Sequence, residues 1–353
     1  MLLKLFLKKV RDRIYRVFIV LGFPVLYFLE MCSFLFDNYS VRIRFCNFYY
    51  GFNPKTLSFI SKEIERIAPK LKIVKYYKPQ IEIFSVFGNA KKLRNSKTAI
   101  KIFYTGENVN GGSYNRMPFT QYKGNMIDIS DLSIGFDYMA ADNYIRFPLW
   151  LVYFFSRCNS KDEIKRALDS FKTLHIKTKF CSLISRHDMS GIRTRIYSDV
   201  CQISKVDCPG KLLYNDASLL NKYNDNKKLY LQQYKFNICP ENSISKGYVT
   251  EKIFESIASG CIPIYNGWSK DPEPGIINPN IILWYDDLDA KSNKEMFKEL
   301  KKLNESDKLY RSFAEQPFFC DTAIDKIYCN LANFKEKMQI VAFKINKKQG
   351  CGK

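Results

Sequence analysis

FNICPENSISKGYVTEKIFESIASGCIPIYNG, residues 236–267, carries the pattern that decides the fold. Its opening, KFNICPE with Lys235, reads as a buried strand: a short apolar run bounded by a proline. Beyond a polar loop, VTEKIFESIASG repeats its apolar residues at helical spacing and closes on Gly260, a helix C-terminal signal. CIPIY then supplies the next strand. Strand, helix and strand in this order imply a parallel sheet, where ligands sit beyond the C-terminal strand ends. Glu241 and Asn242 leave the first strand at that edge, Tyr248 and Thr250 lead into the helix, and Glu251 and Lys252 occupy its first turn. Helix N-termini and nearby cations suit phosphate, and carboxylates and amides suit sugar hydroxyls, so the residues describe a nucleotide-sugar pocket. They also fit a capped surface helix with an ordinary Glu-Lys pair.

The alternation continues on both sides. FCSLIS reads as a buried strand and GIRTRIYSDVCQI as a helix introduced by Gly191, while IILWYDD and NKEMFKELKKL add a strand and a helix downstream. Upstream, VRIRFCNFYY from Val41 has the alternation of a first strand, followed by a turn at Gly51-Phe52-Asn53-Pro54. Leu57, Ile60, Ile64 and Ile67 recur at helical spacing, IVKYY and IEIFSVFG read as strands, and AIKIFYT ends at Gly106-Glu107-Asn108. A charged helix around Lys161 to Leu174 forms the passage between two α/β units. The expected architecture is two facing Rossmann-like domains with a cleft between them. The boundaries are a basic and apolar N-terminus at 1–40, a first α/β domain at 41–170, a second at 171–320, and a basic tail at 321–353.

A chain of 353 residues with 46% hydrophobic and 15% aromatic content supports two packed domains and excludes disorder. Its net charge of +21 asks for an anionic partner: nucleic acid, a membrane surface or a phosphorylated substrate. The charge thickens in Lys4 to Arg16 and in Lys335 to Lys353, which suits a membrane surface, and no zinc-finger, RNP-like or recognition-helix pattern points to nucleic acid. Residues 17–36, VFIVLGFPVLYFLEMCSFLF, are an apolar membrane segment, interrupted by Gly22, Pro24 and Glu30, that spans the bilayer or lies on it. A spanning segment would export the rest of the chain. The eleven cysteines, without a C-x-x-C pair, read instead as reduced thiols of a cytosolic protein. With only His175 and His187, a histidine-rich metal site is excluded, and Asp287-Leu288-Asp289 reads as a surface turn rather than a metal-holding D-x-D.

Residues 236–267 resemble the donor-binding signature of the α1,3-fucosyltransferases, glycosyltransferase family 10, in its bacterial form. Glu241, Asn242, Ser243, Tyr248, Thr250, Glu251, Lys252 and Pro263 stand in register with the pattern F-x-x-x-x-E-N-S, a variable loop, Y-V/I-T-E-K, a helix and x-P-x. IRFCNFYYGFNP, IFSVFG, FYTGEN, IGFDYMAADNYIRFPLW, FCSLIS, the helix with Arg193, and Val206-Asp207 to Gly210-Lys211 extend the resemblance from about residue 41 to about residue 320. Pro240, Asn266 and Arg186-His187 depart from it.

The resemblance implies a GT-B enzyme that transfers L-fucose from GDP-β-L-fucose, with inversion, to an oligosaccharide, glycolipid or lipopolysaccharide acceptor, α1,3 to GlcNAc by default. It implies Glu107 as the base that deprotonates the acceptor hydroxyl. Arg193 and Lys252 would hold the pyrophosphate, Glu251 the fucose or ribose hydroxyls, and Asn242 and Tyr248 the same wall. No metal is essential in this reading, although a divalent ion could stimulate. Gly111-Gly112 and Asn115-Arg116 would tune the acceptor. The implied location is the cytoplasmic face of a bacterial inner membrane, with a Golgi single-pass type II protein as the alternative. The rival functions are another inverting nucleotide-sugar transferase and a non-catalytic basic module for membranes or nucleic acid.

Overall fold

The computed structural model describes residues 25–32, 41–68, 71–110, 118–171 and 177–350. Most of the apolar run 17–36, the Gly111-Gly112 and Asn115-Arg116 loop, and His175 lie outside these residues. One compact unit takes Met1–Tyr104, Met126–Ser133 and Met338–Lys353, and a second takes Thr105–Asn125 and Ile134–Lys337.

The first sheet is built from β1 (Arg42–Cys46), β2 (Lys72–Ile73), β3 (Ile81–Phe84), β4 (Ile100–Tyr104), β5 (Leu132–Gly135) and β6 (Tyr144–Arg146), in the order β2-β1-β3-β4-β5-β6. Its β1–β2, β1–β3 and β3–β4 pairings are parallel. The second sheet has β7 (Lys179–Ser182), β8 (Val206–Asp207), β9 (Tyr234–Ile238), β10 (Ile262–Tyr265) and β11 (Leu283–Trp284), in the order β11-β10-β9-β7-β8, all parallel. Cys181, Phe236, Ile238, Ile262 and Ile264 fill one core under the helices Ile192–Val200 and Ala290–Glu305, which explains why these strands are apolar without alternation. The fold is therefore α/β with parallel sheets.

Several sequence expectations change length for local reasons. VRIRFCNFYY stops as a strand at Cys46, because Asn47 turns into the left-handed region at φ 59°. Of IVKYY only Ile73 is strand, in the short element Lys72–Ile73. The backbone N–H groups of Lys75, Tyr76 and Tyr77 donate instead to the Glu30 carboxylate at 3.0, 2.8 and 2.7 Å. Burial raises the Glu30 pKa, but these three bonds and the nearby Lys72 outweigh it, so the carboxyl sits below its usual range. The glutamate that interrupts the apolar run thus holds helical residues 25–32 against the first unit. No helix among the described residues is long and apolar enough to cross a membrane.

The compact units also differ from boundaries drawn at residue 170. Thr105–Asn125 and the chain from Ile134 pack with the second unit because Arg146 pairs with buried Glu273 at 2.6 Å and the Trp150 ring stacks on Phe254, with centroids 4.7 Å apart. The expected basic tail is a helix, Ala323–Gly350, with buried Ile327, Leu331, Phe334, Met338 and Val341 along one face. Its end counts with the first unit, where Lys344 pairs with Asp131.

Candidate active site

The site is built at the C-terminal end of β9. Beyond Ile238 the chain stays beside β10, with Cys239 N–H on Ile264 O at 3.0 Å and Glu241 N–H on Asn266 O at 2.9 Å. Glu241, only 2% exposed, turns its carboxylate back under the loop. It accepts from Thr250 N–H at 2.8 Å, Thr250 Oγ1 at 2.7 Å, Tyr265 OH at 3.1 Å and Lys252 Nζ at 3.3 Å. Residues 242–249 are thereby closed into a loop whose neck is Glu241 and Thr250. Gly247 makes its tightest turn, at φ 81°, and a Cβ there would strike Phe136 O and the Tyr138 ring. That turn delivers Tyr248, 1% exposed, against the edge of Phe136.

The helix Glu251–Ala258 starts directly from this neck, so Glu251 and Lys252 project from its first turn. Lys252 Nζ lies 2.9 Å from Thr250 Oγ1 and 3.8 Å from Glu251. Arg193 arrives from the helix Ile192–Val200, whose start is set by Gly191 in the left-handed region at φ 76°. The guanidinium is 6% exposed and donates to His187 O at 2.5 Å and to Asn242 Oδ1 at 2.6 Å. A cavity of about 80 Å³ is lined by Arg193, Glu251 and Lys252, together with Asn237, Pro240 and Glu255.

Glu107 comes from the loop after β4. Thr105 Oγ1 accepts from Glu107 N–H at 3.0 Å and donates to Glu107 O at 2.7 Å, which holds the residue's backbone at both ends. A Cβ at Gly106 would come within 2.6 Å of the Leu149 side chain, which would have to shift. Two bonds join this loop to the loop of residues 242–249: Asn108 Nδ2 donates to Ser243 Oγ at 2.9 Å and Asn110 Nδ2 to Ser245 Oγ at 3.1 Å. Arg193 is thereby bonded to Asn242, and the Tyr248 hydroxyl lies where Asn242 and the Glu107 carboxyl both act on it.

The electrostatics follow from that burial. Desolvation pushes the Glu107 carboxyl above its ordinary value, Lys252 and the Tyr248 hydrogen bond oppose this, and Glu251 and Glu241 add to it. Burial lowers the Arg193 pKa. Lys252 moves the other way: burial would lower it, but Glu241 and Glu251 raise it, so the ammonium keeps its charge. Burial and the surrounding carboxylates drive the Tyr248 hydroxyl far above 10, leaving it a neutral donor. The arrangement offers two fixed cations, a carboxyl with raised proton affinity and a neutral hydroxyl beside them.

Every sequence-derived site residue, Glu107, Arg193, Asn242, Tyr248, Glu251 and Lys252, is brought into this one cluster within the second unit. Asp287 pairs with Arg195 at 2.6 Å, and Asp289 caps the next helix through Lys291 and Ser292 N–H, so both are spoken for by structure. No group of three His, Cys, Asp or Glu that could hold a metal occurs among the described residues. Asp137 accepts from Asn110 and Asn125 at 2.6 Å each, and Asp142 is exposed. Sequence reasoning missed Glu255, which lines the cavity beside Lys227. Its position four residues after Glu251, on the same helix face, was the available signal.

Residues 43–153 match the family model of the alpha-(1,3)-fucosyltransferase FucT N-terminal domain, and residues 174–320 match that of the glycosyltransferase family 10 (fucosyltransferase) C-terminal part. The alpha-(1,3)-fucosyltransferase FucT of Helicobacter pylori is 29% identical over 214 residues, covering 52% of this chain and 41% of that protein. The human 4-galactosyl-N-acetylglucosaminide 3-alpha-L-fucosyltransferase 9 is 25% identical over 136 residues, 38% of this chain and 35% of that protein. The chain thus spans less than half the length of these curated relatives. Crystal structures of alpha1,3-fucosyltransferase with GDP and with GDP-fucose share the fold, with TM-scores of 0.55 and 0.54 at 21% and 20% identity, each over 84% of this chain and 90% of that one. From residue 43 to residue 320, with a short break between the two matches, the chain belongs to glycosyltransferase family 10, the fucosyltransferase family.

Proposed function

We propose that the protein is an inverting fucosyltransferase of the GT-B type, transferring L-fucose from GDP-β-L-fucose to a glycan hydroxyl, α1,3 to GlcNAc. The observation that carries this reading is the gathering of Arg193, bonded to Asn242, with Lys252, Tyr248 and a Glu107 carboxyl of raised proton affinity in one cluster. In the reaction, Glu107 takes the acceptor hydroxyl proton as that oxygen attacks the anomeric carbon, and the bond to GDP breaks on the opposite face. Negative charge then develops on the leaving pyrophosphate, where Arg193 and Lys252 stabilise it. Glu251 accepts from hydroxyls of the donor, and Asn242 and Tyr248 fix the relative positions of cation and base. A divalent ion, where it acts, stimulates rather than supplies this charge.

Residues 41–170 would supply acceptor contacts and 171–320 the GDP-fucose site, in two facing Rossmann-like domains. The acceptor would be an oligosaccharide, glycolipid or lipopolysaccharide met at a membrane surface, on the cytoplasmic face of a bacterial inner membrane. The ten described cysteines, all free, support a reducing compartment over the Golgi alternative.

The test is a donor panel of GDP-fucose, GDP-mannose and UDP-galactose offered with an array of GlcNAc-containing acceptors, with products read by mass spectrometry and NMR. The expected product is an α-fucoside from GDP-fucose alone. Transfer from a UDP-sugar with GDP-fucose ignored would overturn the reading.

A further inference from the structure

Helical residues 25–32 face the wrong way for a helix packed on a soluble domain. Tyr27 and Glu30 turn inward, Tyr27 edge-on to Tyr77 at 5.2 Å and Glu30 onto three backbone N–H groups. Val25, Leu26, Phe28 and Leu29 turn outward and are 57%, 41%, 56% and 56% exposed. An ordinary amphipathic helix hides its apolar stripe and shows its charges; here the one charge is turned inward and the apolar stripe is shown.

The segment that Glu30 holds is basic. Lys72, Lys75 and Lys78 lie on the segment that Glu30 clamps, with exposed Ile73 between them and with Tyr76 and Tyr77 ringed by Lys75 and Arg42. In the sequence the run is preceded by Lys4, Lys8, Lys9, Arg11, Arg13 and Arg16 against a single Asp12. Exposed aliphatic and phenyl groups flanked by lysine and tyrosine make the composition of a helix in a membrane interface, and the cations select an anionic one.

We propose that residues 25–32 lie in the plane of an anionic bilayer surface, with Val25, Leu26, Phe28 and Leu29 in the boundary between headgroups and acyl chains and Glu30 pinning the helix to the first unit. This rests on the membrane-surface reading given above and not on the reaction. It makes Glu30 the reason the apolar run stays on the surface, since a carboxylate that serves three amides of the folded unit is not free to enter hydrocarbon with its helix.

The full-length protein, incubated with phosphatidylglycerol-containing vesicles or with phosphatidylcholine vesicles alone, should sediment with the first, more weakly with the second, and come off in alkaline carbonate. The double variant Phe28→Ser, Leu29→Ser should bind anionic vesicles at least about tenfold more weakly, since two exposed apolar side chains are lost from the contact. Its thermal midpoint and GDP affinity should match the parent, which separates this test from failure of the proposed reaction. Unchanged vesicle binding in the variant overturns the proposal, and so does resistance of the parent to carbonate, the mark of a spanning segment. A change in oligomeric mass without a change in vesicle binding assigns the face to a second copy and also overturns it.

Discussion

Glu107 and Glu241 are both loop carboxylates just past the end of a strand, β4 and β9, and their surroundings give them opposite work. Glu241 accepts four hydrogen bonds from Thr250, Tyr265 and Lys252, so its lone pairs are consumed in closing the donor loop. Glu107 is half-buried, and desolvation of its carboxyl with Glu251 and Glu241 nearby raises its proton affinity. A carboxylate whose bonds are all taken is architecture. One that is desolvated and left under-bonded has the free energy of its charged form raised, as a general base for a hydroxyl requires. On the proposed reading, the residue inside the conspicuous motif is the structural one, and the residue in the plain Gly106-Glu107-Asn108 turn is the chemical one.

That contrast can be broken at several points. Glu241→Ala should have the largest effect, because it strands the Thr250 N–H, the Thr250 hydroxyl and the Tyr265 hydroxyl in a buried place. Denaturant titration should show a stability loss of about 1–3 kcal/mol, and fucosyl transfer should vanish with GDP binding. Arg193→Ala and Lys252→Ala should each weaken GDP binding in calorimetry by about 10²-fold, as expected when a charged hydrogen bond is lost. Only Lys252→Ala should also move the acid limb of the kcat/KM profile to higher pH, since Lys252 is the main group holding the Glu107 pKa down.

A smaller effect is expected from Tyr248→Phe. The base works deprotonated, so activity falls as pH drops through the Glu107 pKa. Removing a hydrogen bond that stabilises the charged form raises that pKa further, and the acid limb should shift upward with GDP affinity held within about twofold. An unmoved acid limb would mean that Tyr248 does not bear on the base.

Much of this was legible in the sequence because the strands of the second sheet are apolar on both faces and the helix Glu251–Ala258 has a clear period, bracketed by Thr250 and Gly260. Arg193 was legible because Gly191 marks the start of its helix. Long-range hydrogen bonds were not legible. Glu241 follows a buried strand as a ligand-binding residue would, and nothing local shows that it folds back on Thr250, nine positions ahead. IVKYY has strand composition, but its amides are claimed by Glu30 from 45 residues away. The basic content of residues 323–350 suggested a tail, while the buried Ile327, Leu331, Phe334 and Met338 at helical spacing carried the information that makes it a packed helix.

The account turns on Glu107, and single-turnover transfer from saturating GDP-fucose by Glu107→Gln tests it most directly. Glutamine keeps the shape and the bond to Tyr248 but cannot accept the proton. The rate should fall by about 10³-fold with GDP affinity unchanged. Transfer within tenfold of the parent rate would contradict the assignment of the base and, with it, the division of roles between Glu107 and Glu241.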